Sequence, residues 1–335
     1  MAKPSLAAKG SVTVFGEVLV RLEAPGFQRF VQAESFIARY TGAEANTAIA
    51  LAAMGREASI VSVAPAHEIG QACVNNFRRY GVETKHLLRG GNRLGILYVE
   101  NGASQRAGKV VYDRTGSSFS QLKPADFDWD EILRDSAWLH TSGITPALGE
   151  GPRAAQQAAI RAARKRGIKI SYDTNYRSTL WALDEARRVL PKLIEEVDLF
   201  LGTPHDAELL FGIKGDAAES GEKMRQRFGI DRVAFTKREI PHSSINHLRA
   251  LLVDTTGVHE SRTYEIHIVD RIGAGDAFAA GMIYAALEDW PGNRSIEFAA
   301  ASCALKQSIP GDYGLSTLSE ITELAETGKA GRVKR

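Results

Sequence analysis

Short β-branched runs alternate with amphipathic helical stretches along most of this chain, and that rhythm leaves few ways for it to fold. Val12 to Phe15 alternates as a strand and stops at Gly16, and a second apolar stretch runs from Val18 to Leu22. Ala45 to Met54 carries small apolar residues at helical spacing up to Gly55, after which Ala58 to Ala64 reads as the next strand. Ala154 to Arg166 is an amphipathic helix ended by Gly167; Ile168 to Tyr172, Leu199 to Leu201 and Val233 to Phe235 are further strands. The C-terminal third reads as helical over Gly275 to Leu287 and Ser295 to Gln307, with a last helix whose Thr317 and Glu320 have capping-box spacing. The expectation is an α/β fold with a mostly parallel central sheet flanked by helices.

Two stretches break the rhythm. Glu23 to Tyr40 and Arg93 to Ser120 mix aromatic and polar residues without helical periodicity and read as added β structure. Segments of about 18–40 and 93–120 are therefore expected to form a small β lid within a single domain spanning 11–330, laid over the strand ends where open α/β sheets bind ligands. The basic tail GRVKR reads as a solvated end.

Bulk composition narrows the function classes. With 42 Lys and Arg against 40 Asp and Glu, the net charge of +2 gives no overall field that would draw nucleic acid or a membrane surface. The two cysteines, Cys73 and Cys303, lack the spacing of a disulfide framework or zinc knuckle, which fits a reducing cytoplasm. No run approaches the ~20 apolar residues of a membrane span, and the N-terminus lacks a targeting pattern.

The chemistry concentrates in VDRIGAGDAFAAGMIYAAL, where a glycine-rich turn feeds straight into an apolar helix. Glycines at 273 and 275 let the main chain approach a ligand, and the free N–H groups and positive end of the helix suit a phosphate. Asp276 stands where such an anion would sit. Taken alone, an acidic residue in a first helical turn is more simply a cap. Other nucleotide motifs fail on these residues: the GAG turn is followed by Phe278 where a dinucleotide fingerprint needs its third glycine, and Gly102 to Lys109 has five residues between its glycines and Val110 after the lysine, unlike a P-loop. The protein-kinase HRD and DFG set is absent.

Asp270 to Phe278 is similar to the signature DTxGAGDxF of the ribokinase-like (PfkB) carbohydrate kinases. The resemblance extends over nearly the whole chain through GEVLVRL, YTGAEANTAIALAAMG, RLGILYVENGASQRAGKVVYDRTGS, WLHTSGITPAL, SYDTNYRSTLW and SIPGD, and is most marked toward members acting on 2-keto-3-deoxygluconate. It implies a ribokinase-like fold, ATP and Mg2+ as cofactors, and ATP-dependent phosphorylation of the terminal hydroxyl of that sugar acid. By the same resemblance Gly273, Ala274 and Gly275 form an anion hole and Asp276 takes the hydroxyl proton. Gly42, Ala43, Glu44, Ala45, Asn46, Tyr98, Tyr112, Arg114, Arg177 and Asp312 correspond to substrate contacts. Asn175, Thr236, Lys237 and Arg238, with Gly273 and Gly275, correspond to contacts with ATP, and Val269, Phe278 and Ala304 to an adenine pocket.

Two departures from the family pattern bear on specificity and metal use. Arg21 stands where many ribokinase-like enzymes place a sugar-binding Asp, an exchange that favours an anionic substrate. The magnesium-organising NxxE motif falls on Thr203 to Asp206, so no metal ligand is assigned; Glu208 is a substitute, and His205 reads as an exposed loop residue. REIPHSSINHL reads as a loop resembling the subgroup's TxRES form. Without the family, Tyr98 and Tyr112 read as half-buried strand aromatics, Arg114 as a surface charge, and Val269, Phe278 and Ala304 as core. Rival functions are kinases for fructose, ketodeoxygalactonate or 5-dehydro-2-deoxygluconate, or a sugar-acid-binding regulator without transfer. The expected partners are the sugar acid, ATP and a second copy of the chain joined through the lid, with no nucleic acid and no membrane.

Overall fold

The computed structural model describes residues 10–328; the tail GRVKR and the last two residues of the expected 11–330 domain lie outside the described residues. From the N-terminus come β1 (Ser11–Phe15), β2 (Leu19–Glu23), β3 (Ile37–Thr41), α1 (Ala43–Ala53), β4 (Ala58–Ala64), α2 (Glu68–Arg79), β5 (Leu87–Arg89), β6 (Gly95–Glu100) and β7 (Lys109–Asp113). The middle of the chain adds α3 (Trp129–Ile132), β8 (Ser136–Ser142), α4 (Glu150–Lys165), β9 (Lys169–Asp173), α5 (Leu183–Ile194), β10 (Leu199–Gly202), α6 (Pro204–Phe211) and α7 (Ala217–Phe228). It closes with β11 (Arg232–His242), β12 (Ile245–Asp254), β13 (Gly257–Glu260), β14 (Tyr264–His267), α8 (Ala274–Leu287), α9 (Gly292–Lys306) and α10 (Leu318–Thr327).

A ten-stranded sheet runs in the order β13-β12-β11-β10-β9-β8-β1-β4-β5, with β14 paired to β12. From β11 to β5 every pairing is parallel, and antiparallel β12, β13 and β14 finish one edge. Alternation along the strands sorts their side chains to two cores. Val12 and Val14 join a cluster with residues of α1, α2, α8 and α9, while Phe15 joins the other cluster with residues of α4, α5, α6 and α7. The expected α/β architecture, a mostly parallel central sheet flanked by helices, is observed.

The rhythm-breaking stretches form a second sheet, β3-β2-β6-β7, with β2 parallel to β6 and both outer pairings antiparallel. Register puts Leu19, Arg21, Leu97 and Tyr112 on one face and Tyr98 with Val111 on the other. Most of the exposed large apolar side chains among the described residues belong to these lid segments: Phe27, Val31, Phe36, Ile37, Val110 and Val111.

REIPHSSINHL is a β hairpin rather than a loop: β11 continues to His242 and β12 returns from Ile245, with Lys237 opposite Arg249 and Glu239 opposite His247. β14 pairs with Ile245 to Leu248 on the other side of β12, and Asn246 is buried there, donating from Nδ2 to Gln307 Oε1 at 2.9 Å, while Lys237 and Glu239 remain exposed.

Helix α8, which carries the glycine turn at its head, is buried at every position from Asp276 to Ala286. Helices α1 and α9 pack on it, and Gly281 allows the close approach of α9, since a Cβ there would lie 2.7 Å from the Ala299 Cα. The turn is thus anchored by a helix that cannot move without disturbing one of the two cores.

Candidate active site

At the C-terminal ends of β9, β10 and β11, roofed by the lid sheet, lies a cavity of about 910 Å³. That volume is at the upper end for small-molecule sites and is enough for two ligands side by side. A smaller cavity of about 310 Å³ beside Trp290, Arg294 and Glu297 contains none of the expected site residues.

Asp276 opens the first turn of α8 and borders the large cavity. Its carboxylate accepts a hydrogen bond from Asn46 Nδ2 at 2.7 Å, and Asn46 Oδ1 in turn accepts from Thr41 Oγ1 at 3.2 Å. Burial pushes the Asp276 carboxyl up to about 8; the Asn46 donor opposes this, while the charges of Asp173, Glu44 and Asp312 add to it. A carboxylate with so high a proton affinity, facing a ligand cavity, is suited to accept a proton near neutral pH.

The turn before Asp276 is held by a close backbone contact. Gly273 has φ 82°, and a Cβ on it would fall 1.8 Å from the Asp312 carbonyl oxygen. Only glycine fits there. The Ala274 N–H bends back to the Arg271 carbonyl at 3.3 Å, whereas the Gly275 N–H has no backbone acceptor among the described residues. Of the expected anion hole, Gly273 and Gly275 border the cavity and Ala274 is buried beneath them.

The same cavity gathers Gly42, Ala43, Asn46, Tyr112, Arg114, Asn175, Arg177, Thr236, Lys237, Arg238 and Asp312. Glu44 and Ala45 do not border it: both are buried, with the Glu44 carboxyl, pushed up to about 7 chiefly by burial, taking the Ser142 hydroxyl at 2.6 Å. Tyr98 does not border it either, lying on the other face of the lid sheet with its ring 6.0 Å from Phe36, edge to face. Of the expected adenine pocket, Phe278 borders the cavity, while Val269 is 54% exposed outside it and Ala304 is packed in the core.

Arg114 is a buried residue rather than a surface charge. Its guanidinium lies 4.7 Å above the Tyr112 ring and its Nε 3.1 Å from Glu17, yet its Nη1 has no hydrogen-bond partner. Asp312 Oδ2 is likewise buried and unpartnered. Arg114 and Asp312 both border the cavity, and an unfilled donor and an unfilled acceptor there are groups that a ligand with a carboxylate and hydroxyls can complete.

For a metal, Thr203 and Asp206 prove to be the N-terminal cap of α6: Asp206 Oδ2 accepts from Thr203 N at 2.9 Å and Thr203 Oγ1 at 2.7 Å. His205 lies in the first turn of that helix, exposed, rather than in a loop, and Glu208 faces Lys214, off the cavity. Asp173 and Asp206 both border the cavity, and Asp173 is pushed up to about 6 by burial and by the Asp206 charge. Among the described residues no group of three or more His, Cys, Asp and Glu is arranged to hold a metal. Two carboxylates suit a magnesium ion that keeps water and phosphate oxygens as its other ligands.

Sequence reasoning passed over three residues. Asp173 ends β9 and Arg271 precedes the turn, both on the cavity. Lys306, fully buried, donates from Nζ to the Asp270 carbonyl at 2.9 Å and the Ile309 carbonyl at 3.3 Å, tying the turn to the 309–312 segment. The departure from the signature at its second position was the available signal for Arg271; nothing local marks the other two.

Comparison with known proteins places these features in context. A family model described as pfkB family carbohydrate kinase matches residues 9–316. The chain is 31% identical to the 2-dehydro-3-deoxygalactonokinase of Haloferax volcanii over 96% of this chain and 98% of that protein. It is 29% identical to the 2-dehydro-3-deoxygluconokinase of Thermoproteus tenax over 90% of each. The crystal structure of 2-dehydro-3-deoxygluconokinase from Thermotoga maritima superposes with a TM-score of 0.93 at 40% identity, covering 95% of this chain and 99% of that one.

Arg21 corrects an expectation about specificity. It does not border the cavity; fully buried on β2, it bonds Asp270 through Nη2 at 2.7 Å, pairs with Asp312 through Nη1, and lies 3.1 Å from Glu23. Its charge is consumed by protein carboxylates, so it cannot itself select an anionic substrate. Replacing it with methionine would leave Asp270 and Asp312 buried without their counter-ion, and removing one member of such a group costs about 3–5 kcal/mol. Urea unfolding of Arg21→Met should register a loss on that scale, and a midpoint within error of the parent would contradict the role assigned to this cluster.

Proposed function

The chain belongs to the pfkB family of carbohydrate kinases, and from that membership we propose that it transfers the γ-phosphoryl group of ATP to the terminal hydroxyl of 2-keto-3-deoxygluconate (2-dehydro-3-deoxygluconate), giving 2-keto-3-deoxy-6-phosphogluconate. The observation that carries the sugar-acid reading is the buried Arg114, with its unfilled Nη1 donor beside Tyr112 on the cavity wall. A guanidinium in that position meets a carboxylate with charge-assisted, directed bonds, stronger than those it makes to the hydroxyl oxygens of a neutral sugar. Asp312 Oδ2 supplies an acceptor for a sugar hydroxyl. The relatives' names divide between gluconate- and galactonate-derived acids.

In this reading the sugar acid lies under the lid between Arg114 and Asp276, and the triphosphate lies along Lys237 and Arg238 with its terminal phosphate at Gly273 and Gly275. Phosphoryl transfer asks for alignment and charge stabilisation. Asn46 orients the Asp276 carboxylate, which accepts the hydroxyl proton. The free Gly275 amide and the positive end of α8 receive charge on the equatorial oxygens. A magnesium ion, when bound near Asp173 and Asp206, would neutralise part of the phosphate charge. The two buried free thiols suit the cytoplasm, and no helix among the described residues is long and apolar enough to cross a membrane.

ADP release should be fastest with 2-keto-3-deoxygluconate or its galactonate epimer and far slower with fructose; a preference for the neutral ketose would remove the sugar-acid assignment. Arg114→Gln should raise the KM for the acid by about tenfold or more while leaving the KM for ATP near the parent value.

Asp276→Asn should fold normally and lose at least ~100-fold in kcat. Because the base works only when deprotonated and burial holds its proton to about 8, kcat/KM should climb as pH rises from 6 through about 8. Asn46→Leu removes the donor that favours the carboxylate and should move this limb to higher pH. An unmoved limb in that variant, or full activity in the Asp276→Asn protein, would contradict the assignment of the base.

The exposed Phe36 and Val111, with Tyr98, on the outer face of the lid also support pairing of two copies across that face, since apolar side chains there are otherwise left in water. Sedimentation at micromolar concentration should give a dimer for the parent and a monomer for Val111→Asp; a monomeric parent would end the proposal.

A further inference from the structure

Arg271 is the position at which Asp270 to Phe278 departs from the signature pattern, and it borders the same cavity as Lys237 and Arg238. Arg238 Nη2 lies 3.9 Å from the place a Cβ on Gly275 would occupy, so its guanidinium stands over the first turn of α8, at the positive end of that helix. Arg271 is close enough to feel it: partial burial first, and then the Arg238 charge, pull the Arg271 guanidinium below its ordinary proton affinity, against the opposing charge of Asp270.

Neither arginine has a carboxylate partner among the described residues. The Arg271 side chain donates to the Ser243 carbonyl at 3.3 Å, and Arg238 has no carboxylate within ion-pair distance among the described residues. Asp270, next in the chain, is committed elsewhere: to Arg21, to the Ile272 amide at 3.0 Å and to the Gly311 amide at 3.0 Å. Asp270 and Asp173 act on these guanidiniums only through longer-range charge, not through an ion pair, so at a positive helix end the two still favour a multiply charged anion between them. A single carboxylate would leave one of them unbalanced, whereas adjacent phosphates balance both and match their planar donors.

We propose that Arg271 is a phosphate-binding residue of the ATP site, closing with Arg238 a two-arginine clamp on the terminal phosphates. The proposal rests on the chain's use of ATP and is independent of which sugar acid it accepts. A kinase panel that failed with every sugar acid would leave the nucleotide titration below unaffected.

The test is calorimetric titration of the full chain with ATP and, separately, with AMP, both without sugar acid. Arg271→Gln should raise the Kd for ATP by about tenfold or more and leave that for AMP within twofold. Arg271→Lys, which keeps the charge and loses the planar fork, should fall between, and it decides the question alone if the Gln variant does not fold. An ATP Kd equal to the parent's overturns the proposal. So does an equal loss for ATP and AMP, or a raised sugar-acid KM with unchanged ATP binding, which would assign Arg271 to bracing the β11–β12 hairpin through Ser243.

Discussion

The active site hangs on the packing of one backbone segment against another, Gly273 against the carbonyl of Asp312, and two buried cations make that contact possible. Arg21 reaches from β2 to the carboxylates of Asp270 and Asp312, while Lys306 reaches from the end of α9 to the carbonyls of Asp270 and Ile309. Without them, the two aspartates flanking the turn would be desolvated negative charges pushing the segments apart. With them, the turn is pinned at both ends and the Gly275 amide faces the cavity.

This cluster also joins the lid to the chemistry. Arg21 is a residue of the second sheet, and its partners belong to segments that lead into α8 and α10. The strand that carries Arg21 pairs with β6, which pairs in turn with the strand leading to Tyr112 and Arg114. The wall with the unfilled donor and the turn that heads α8 are therefore parts of one hydrogen-bonded framework, and their separation is set by charge pairing in the interior rather than by loops.

Much of this was legible in the sequence because it is local. A glycine-rich turn before an apolar helix declares itself in nine residues, and alternating strands and helices declare a parallel sheet. What misled was contiguity. GAEAN cannot turn every side chain to one ligand when it begins a helix: with 3.6 residues per turn, Ala43 and Asn46 share a face and Glu44 and Ala45 point inward. The same holds in β6, where the period of two puts Leu97 and Tyr98 on opposite faces, and only tertiary structure says which is covered. The burial of Arg21 was invisible because its partners lie 249 and 291 residues away, so a charge that looked free was already spent.

The electrostatics of the cavity follow from the same accounting of charge. Asp276 already holds its proton tightly because it is buried near Asp173, Glu44 and Asp312, and each anionic ligand entering the cavity adds to that burden. A sugar acid and a triphosphate together would drive the base further toward protonation, where it cannot accept the hydroxyl proton, unless positive charge arrives with them or waits for them. Arg177, Lys237, Arg238 and Arg271 border the cavity and provide waiting charge, while Arg114 already shares its own with Glu17. Their contribution is then larger than affinity: by offsetting the ligands' charge, they keep the carboxylate able to ionise in the loaded site, and a cavity with the same shape but neutral walls would hold a base that could not work.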